Sequence, residues 1–401
     1  MPEVTLKLTV LLLTHAAKLS IGWADEVSPG THPIRAKIFS RTFFPIKEKN
    51  WGRGQSRISL TIDRKQIEFL AFKQEKSGLK ALVTGGTGFI GSHLAEALVR
   101  RGTQVRCLAR QGNDLKWLKN LPVEIIIGDC SNKASLREAV KDVDQIFHLA
   151  GITKAVKEKT YFEVNASGTE NLIHACLQNN RRIQKFIYLS SQAAAGPCRN
   201  GDKKKESDQC EPISAYGQSK RRGEELALAH AHEIPLVILR PTGVYGPRDK
   251  DFYTLFKWIS KRIKPCFSGK VSLCYVQDVI QAILLAAESQ TKSGEIFFLS
   301  DGTDYLMREV GDVFARTMGV TPLSVPIPKW LLFGFASFSE YLSLLSRKPS
   351  LISRGMAEQM VEKDWTCDIT KAKTTLGFQP QFQLSEGAKL TYQWYKNQHW
   401  L

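Results

Sequence analysis

The sequence predicts an α/β fold with a doubly wound parallel sheet and a smaller C-terminal lobe. Three observations support this. Short apolar runs alternate with amphipathic stretches from about residue 79 to 240, a glycine-rich turn follows the first run, and the alternation stops after residue 243. Such alternation favours a parallel sheet with helices on both faces. With 401 residues, 43% of them hydrophobic, the chain is long enough to bury a full core.

Six apolar runs are candidate strands because each is short, rich in branched or aromatic residues and bounded by polar or turn-forming residues. They span residues 79–84, 104–109, 123–127, 144–149, 183–190 and 235–240. Amphipathic stretches lie between them, of which residues 158–180 are an example. Residues 1–77 carry no convincing periodicity. We expect them to be a disordered N-terminal extension or a mis-assigned start.

The first run leads directly into a turn with glycines at positions 85, 88 and 91, and a helical pattern follows. Glycines at this spacing allow a tight turn, let the backbone approach a pyrophosphate and let the helix pack closely on the strand. The anion then lies at the positive end of the helix dipole. This strand, turn and helix predict a dinucleotide site formed by Gly85, Thr87, Gly88, Phe89, Ile90 and Gly91.

The end of the second candidate strand bears on which dinucleotide binds. Sites for NAD place an acidic residue about 20 positions beyond the glycines, whereas an arginine suits the 2′-phosphate of NADP. Here Ala109 occupies the acidic position and Arg110 follows it. The sequence therefore predicts NADP or NAD as cofactor, with a slight preference for NADP. The alternative is that Arg110 is a solvated loop residue.

Tyr216 and Lys220 are four residues apart, which places both on one face of a helix. A lysine ammonium near a phenol favours the phenolate and can lower the phenol pKa towards the range of general acid/base catalysis. The spacing also arises by chance in long proteins, so the pair gains its meaning from the other motifs.

The glycine spacing and the Tyr-x-x-x-Lys pair together resemble the extended short-chain dehydrogenase/reductase superfamily. This superfamily includes nucleotide-sugar epimerases and dehydratases, dihydroflavonol reductases and 3β-hydroxysteroid dehydrogenases. Further segments match it in the family's order, at residues 128–129, 147–151, 165–169, 186–191, 239–248, 275–279 and 376–380. The resemblance covers about residues 78–398. It implies an NAD(P)-binding Rossmann domain over 78–242 and mainly a substrate-binding lobe over 243–401.

The resemblance also implies roles for residues of the cofactor site. Asp129 would contact the adenine, and the segment containing Leu149, Ala150 and Gly151 would pass under the cofactor. Pro241 and Val244 belong to the segment that resembles the loop beside the nicotinamide. Asn165 belongs to the segment like the central-helix motif, although a mid-helix asparagine can equally satisfy backbone groups at a bend. We expect His148 to be structural.

The implied catalytic residues are Ser191, Tyr216 and Lys220. Tyr216 would exchange a proton with the substrate oxygen while hydride moves between the substrate carbon and the nicotinamide. Lys220 would hold the nearby positive charge and contact the ribose hydroxyls. Ser191 would hydrogen-bond the reacting oxygen. Ser190 is the alternative to Ser191, because the two serines are adjacent.

Two enzymatic functions fit these residues. One is an oxidoreductase that interconverts a secondary alcohol and a ketone and releases its cofactor in each cycle. The other is a nucleotide-sugar epimerase or dehydratase that retains NAD. The expected substrate is a small molecule, steroid-like, flavonoid-like or a nucleotide sugar. A catalytically silent nucleotide-binding regulator is disfavoured because the catalytic set is complete.

Charge and cysteine content narrow the partners. The net charge is +17, but the basic clusters at residues 203–205 and 221–222 are not interleaved with aromatic residues, so we expect no nucleic-acid binding. The eight cysteines contain no Cys-x-x-Cys pair, which predicts neither a metal site nor a disulfide framework and suits the cytoplasm.

An apolar stretch at residues 330–339 is too short to span a bilayer, which needs about 20 residues. We expect either a helix packed over the substrate lobe or an apolar lid with peripheral membrane contact. The family resemblance also allows a homodimer through the helices near residues 158–180 and 214–233.

Overall fold

The computed structural model describes residues 78–199, 201–346, 349–350, 352–362 and 364–401. The N-terminal extension expected at residues 1–77 lies outside the described residues. Strands and helices below are numbered along the chain from the first described element.

A parallel sheet of seven strands forms the centre of the described part, and its apolar strands are nearly all buried. These strands are β1 (Lys80–Thr84), β2 (Gln104–Ala109), β3 (Val123–Ile127), β4 (Gln145–His148), β5 (Lys185–Leu189), β6 (Leu236–Pro241) and β10 (Glu295–Leu299). Their spatial order is β10-β6-β5-β4-β1-β2-β3, and every neighbouring pair is parallel. All six predicted strands are therefore present. The chain order reverses between β1 and β4, the point where open α/β sheets bind ligands.

Helices cover both faces of this sheet, so the predicted doubly wound fold is confirmed. One face is covered by α1 (Phe89–Arg100), α7 (Val276–Glu288) and α11 (Thr370–Leu376). The other face is covered by α2 (Lys133–Val140), α4 (Gly168–Asn179) and α5 (Ala215–Ala229).

The amphipathic stretch predicted over residues 158–180 is interrupted. Helix α3 (Glu158–Phe162) passes into a single π-helical turn at Glu163–Ser167 before α4 begins. Turns of this kind occur mostly at functional sites, because the extra residue redirects a side chain. Here the turn holds Asn165, which is fully buried.

The smaller lobe is built from short strands and helices around an aromatic core. The strands are β7 (Gly243–Tyr245), β8 (Ile263–Cys266), β9 (Lys270–Tyr275), β11 (Asp304–Leu306), β12 (Leu323–Pro326) and β13 (Asp364–Trp365). The helices are α6 (Asp251–Ser260), α8 (Met307–Met318), α9 (Lys329–Ser346), α10 (Arg354–Val361) and α12 (Leu384–Asn397). Phe256 stacks on Phe314 with ring centres 4.3 Å apart.

The C-terminal part of the chain does not serve the lobe alone. Helix α7 packs on the large sheet and β10 pairs with β6 in parallel, although both follow residue 243. The domain boundary at residue 242 stays a prediction. Helix α7 and strand β10 follow that residue in the chain but belong to the large sheet and its helix layer.

Helices α9 and α10 form a separate pair at the edge of the lobe. Leu332 and Ala336 of α9 pack against Ala357 of α10 in a small apolar cluster of their own. None of the helices in the described ranges has the length and apolar character needed to cross a membrane.

Candidate active site

The glycine-rich turn has the geometry that its sequence predicts. Gly85 has φ +75°, and a Cβ atom there would lie 2.7 Å from the carbonyl carbon of Leu149. A Cβ on Gly91 would lie 2.1 Å from the Gly85 oxygen, so helix α1 packs directly on the turn. Side chains at these two positions would clash with the backbone of the turn and of the segment after β4.

The start of α1 leaves its first amides available. Gly88 is the N-cap and makes no side-chain cap, and the first N–H groups of a helix have no partner within the helix. Thr87 accepts a hydrogen bond from the Asn113 amide at 3.0 Å, which ties the turn to the loop after β2. These residues fit a dinucleotide pyrophosphate.

Arg110 and Asp129 lie side by side at the carboxyl edge of the sheet. Pairing of β2 with β3 brings the strand ends together, and Arg110 Nε is 4.0 Å from Asp129 Oδ2. The Arg110 side chain is 57% exposed, and the Asp129 carboxylate accepts hydrogen bonds from the backbone and hydroxyl of Ser131. The guanidinium is therefore exposed at the edge of the sheet where the sequence predicts the adenosine ribose.

The segment Leu149, Ala150 and Gly151 continues from β4 and passes close to both Asn165 and Lys220. Asn165 Oδ1 accepts a hydrogen bond from the Ile152 N–H at 2.8 Å, and its Nδ2 donates to the Ile152 carbonyl at 3.1 Å. Asn165 therefore fixes the backbone next to Gly151, which is the structural alternative given for it above.

Tyr216 lies in the first turn of α5. Ser214 caps this helix, because its Oγ accepts a hydrogen bond from the Gly217 N–H at 3.1 Å. A Cβ on Gly217 would lie 2.4 Å from the Ala193 carbonyl oxygen, so the first turn packs against the 3₁₀ turn Gln192–Ala194. This packing sets Tyr216 beside Ser191, which caps the 3₁₀ turn by accepting from the Ala193 N–H.

Burial raises the pKa of Tyr216 above its ordinary value, and the nearby Ser191 side chain offsets only part of this effect. The expectation that Lys220 lowers the phenol pKa is therefore wrong for this geometry. The Tyr216 hydroxyl therefore keeps its proton at neutral pH.

The Lys220 ammonium is directed to the strand beneath it. Its Nζ donates to the Leu189 carbonyl at 2.8 Å and lies 4.3 Å from the ring centre of Tyr188. Burial lowers the pKa of Lys220 to about 7, although nearby Glu224 opposes the shift. A Cβ on Gly151 would be only 3.9 Å from this Nζ, so the lysine lies next to the segment that resembles the family's cofactor floor.

His148 is fully buried between Thr84 and Thr169, with contacts of 2.8 and 2.9 Å at its two ring nitrogens. Burial lowers the pKa of His148 to about 3, so the imidazole is neutral. It also stacks on Tyr188 with ring centres 5.3 Å apart. These contacts agree with the structural role expected for it.

Both serines at the end of β5 line the cleft, but their surroundings differ. Ser190 is buried, and its hydroxyl has no hydrogen-bond partner. The hydroxyl of Thr242 is likewise buried and unpaired. Of the two serines, only Ser191 affects the pKa of Tyr216. This difference favours Ser191 over Ser190.

One cleft of about 860 Å³ joins these groups. It extends from Phe89 and Ile90 at the start of α1, past Pro241 and Val244, to helices α9 and α10 of the lobe. The sequence-predicted residues of the first helix turn, the catalytic set and the nicotinamide loop therefore share one cavity, whereas Arg110 and Asp129 are not among its lining residues.

The family model described as the NAD dependent epimerase/dehydratase family matches residues 81–299. The chain belongs to this family. A ceramide reductase from Caulobacter vibrioides is 29% identical over 324 residues, which cover 80% of this chain and 95% of the relative. The human 3 beta-hydroxysteroid dehydrogenase type 7 is 30% identical over 370 residues, covering 81% of this chain and 98% of the relative.

Solved structures of the NAD dependent epimerase/dehydratase family have the same fold. The UDP-glucuronic acid 4-epimerase from Bacillus cereus, in complex with UDP-glucuronic acid and NAD, superposes with a TM-score of 0.65 at 25% identity. The match covers 80% of this chain and all of that one. The predictions of the superfamily and of an enzyme of the dehydrogenase, reductase or epimerase type are confirmed.

Several cleft residues were missed by the sequence analysis. Tyr161 lies edge-on to Tyr216 with ring centres 6.4 Å apart, and Glu340, Arg354 and Gln359 come from α9 and α10. Tyr161 belongs to an amphipathic stretch that was recognised only as a helix. The other three lie beyond the regular alternation, where no spacing marks them.

Acidic side chains outnumber cations among the described residues that line this cleft. The lining acids are Glu158, Asp249, Asp251, Glu340 and Glu358. Of the described lining residues, only Lys220 and Arg354 are cations, and Arg354 pairs with Glu340 at 3.5 Å. Burial raises the pKa of Asp249 to about 7.

Proposed function

We propose that the protein is a reductase or dehydrogenase that interconverts a ketone and a secondary alcohol, with NADP(H) preferred over NAD(H). The observation that carries this proposal is that Tyr216, Ser191 and Lys220 line one cleft that also reaches the start of α1. A bound nicotinamide would supply or accept the hydride. The chain itself supplies the proton and the groups that orient the substrate.

In the direction of reduction, Tyr216 donates its proton to the substrate oxygen as that oxygen gains charge. The raised pKa supports this role, because the hydroxyl keeps its proton at neutral pH. Ser191 donates a hydrogen bond to the same oxygen and holds it beside the phenol. Lys220 stabilises negative charge that develops at the phenol and donates to ribose hydroxyls.

The acidic cleft favours this reaction over the epimerase alternative. A nucleotide sugar carries a diphosphate, which proteins bind with cations or helix N-termini. Within the described chain, the lining acids exceed the lining cations, and Lys220 and Arg354 already have partners. We infer that the substrate end of the cleft holds a neutral or cationic molecule.

Arg110 supports the preference for NADP, since it is exposed at the edge where the adenosine ribose would lie. Asp129 beside it would compete for the guanidinium, so we infer a modest preference. A homodimer and a cytoplasmic location are part of the same proposal.

The test uses purified full-length protein. Denaturation should release no stoichiometric NAD, and the native protein should bind added NADPH more tightly than NADH. Arg110→Ala should weaken NADPH binding by about tenfold and leave NADH binding unchanged, because a charge-assisted phosphate contact is lost. Arg182→Ala, an exposed arginine before β5 at the opposite edge of the sheet, is the control. Tightly held NAD in equimolar amount would contradict the proposal and favour the epimerase.

A further inference from the structure

An ordinary surface helix buries its large apolar side chains, whereas helix α9 exposes them. Its buried residues are Leu332, Ala336, Ser339 and Ser343, which recur every three or four positions and form one face. The opposite side is apolar and exposed. Its large exposed side chains are Trp330, Leu331, Phe335, Phe338, Tyr341, Leu342, Leu344 and Leu345.

The exposure of this face is large for a soluble surface. Trp330 is 75% exposed, Leu345 67% and Phe338 58%. Single exposed apolar side chains are common, but a continuous apolar patch of this kind marks a contact with another surface. The stretch forms a helix of the lobe, as one of the two expectations had it, but mainly small or polar residues face inward.

The chemistry around the patch fits a phospholipid surface. Trp330 and Tyr341 lie three turns apart on the exposed side, and aromatic residues of this type occur at membrane interfaces. Glu340 is the helix's only acidic residue, and it pairs with Arg354 rather than facing outward alone. An exposed apolar helix face bordered by aromatic residues can rest at the level of the headgroups.

Cations complement this face. A groove of about 730 Å³ at the first turn of α9 is bordered by Lys329, Arg308 and Lys264, together with the apolar Leu332 and Met360. Lys329 and Arg308 are exposed, while Lys264 pairs with Asp312. The whole chain carries a net charge of +17. Anionic headgroups are attracted to such a surface, and each nearby cation strengthens the attraction.

The same helix borders the catalytic cleft. Ser343 and Leu344 line the cavity that contains Tyr216, and Met356 and Gln359 of α10 complete this wall. A molecule dissolved in the bilayer would meet the cleft where α9 meets the membrane. We propose that the exposed face of α9 docks on an anionic phospholipid membrane and that the cleft takes its alcohol or ketone from the lipid phase. The second half of this inference rests on the proposed function.

Vesicle binding tests the docking without any turnover. Full-length protein is sedimented with vesicles of phosphatidylcholine alone or mixed with phosphatidylglycerol. The wild type should bind the mixed vesicles best, and added salt should weaken that binding. Phe338→Glu should reduce binding by about tenfold or more, because it places a carboxylate in the apolar face. Leu390→Glu, an exposed position on α12, should bind like the wild type.

Equal binding by the wild type and Phe338→Glu, or no binding by either, would overturn the docking proposal. Light scattering provides a second outcome. A wild-type dimer that Phe338→Glu converts to a monomer would show that the patch joins two copies, and would also overturn the proposal. Unchanged thermal unfolding of Phe338→Glu shows that the variant is folded.

The substrate half has a separate readout. NADPH oxidation is measured with a water-soluble ketone and with a long-chain ketone held in mixed vesicles. Phe338→Glu should retain the first rate and lose most of the second. If the wild type reduces neither ketone but still binds vesicles, the proposed function is wrong and the docking proposal stands. The two failures are therefore distinguishable. Equal rates on the vesicle-held ketone for both proteins would contradict delivery from the lipid phase.

Discussion

The two walls of the cleft are held in different ways. The sheet wall fixes its side chains with buried hydrogen bonds and ion pairs, as Asn165 does for the backbone at Ile152 and as Lys220 does at Leu189. The lobe wall is formed by α9 and α10, which share a small apolar cluster, and α9 leaves its large apolar side chains exposed. The difference separates two tasks. Under the proposed function, the sheet wall would position the proton donor and the lobe wall would admit the substrate.

The buried ion pair beneath α5 gives the largest expected effect on stability. Glu224 and Arg240 are both almost fully buried and are joined by bonds of 2.6 and 2.9 Å. Glu224→Gln leaves the arginine charge buried without compensation and should lower the free energy of unfolding by about 3 kcal/mol or more. Glu225→Gln, on the next residue but exposed and paired only at the surface, should cost less than about 1 kcal/mol. Chemical denaturation measures the free energy of unfolding of both variants. Equal losses would show that the stability of the sheet wall does not depend on its buried ion pair.

Asn165 gives the next largest effect. Asn165→Ala removes three hydrogen bonds and leaves the buried polar groups around Ile152 without their partner. We expect a loss of about 2 kcal/mol in unfolding free energy together with weaker cofactor binding, because the segment at Gly151 is no longer fixed. Asn179→Ala, on the exposed end of α4, is the matched control. Wild-type cofactor affinity in a folded Asn165→Ala would remove the positioning role.

Two buried neutral histidines give a smaller, pH-dependent effect. Burial lowers the pKa of His93 to about 4 and that of His148 to about 3. The unfolded chain takes up protons near pH 6.5, so folding stability is full above that value and falls as the pH drops towards these folded values. Between pH 7 and 5.5 we expect a loss of about 1 kcal/mol for each histidine. His148→Gln should flatten this dependence in denaturation measured at several pH values, and an unchanged slope would argue against a buried neutral imidazole.

Much of the sheet wall could be predicted because its signals are local. Strand periodicity located six of the seven sheet strands, and the glycines at 85 and 91 are required by backbone contacts that any side chain would block. Tyr216 and Ser191 were found through motifs and the family resemblance, and the structure places both in one cleft.

The remaining features depend on contacts between distant residues. The π-turn around Asn165 replaces a predicted continuous helix, and the direction of Lys220 follows from the position of Leu189 on a neighbouring strand. The four-residue spacing alone predicted a lowered pKa for Tyr216, whereas burial in the folded protein raises it. Hydrophobicity could not predict which side of α9 is exposed, since an apolar helix has the same composition whichever side faces inward.

The central claim is that Tyr216 donates the proton in this cleft, and Tyr216→Phe tests it most directly. The change removes one hydroxyl and keeps the ring, so NADPH affinity measured by titration should stay at the wild-type value. The rate of ketone reduction should fall by about 10² to 10⁴-fold, the usual contribution of a general acid. Tyr253→Phe, whose hydroxyl donates to the Trp400 carbonyl outside the cleft, should reduce ketone at the wild-type rate. A Tyr216→Phe enzyme that binds NADPH and reduces ketone as fast as the wild type would contradict the account.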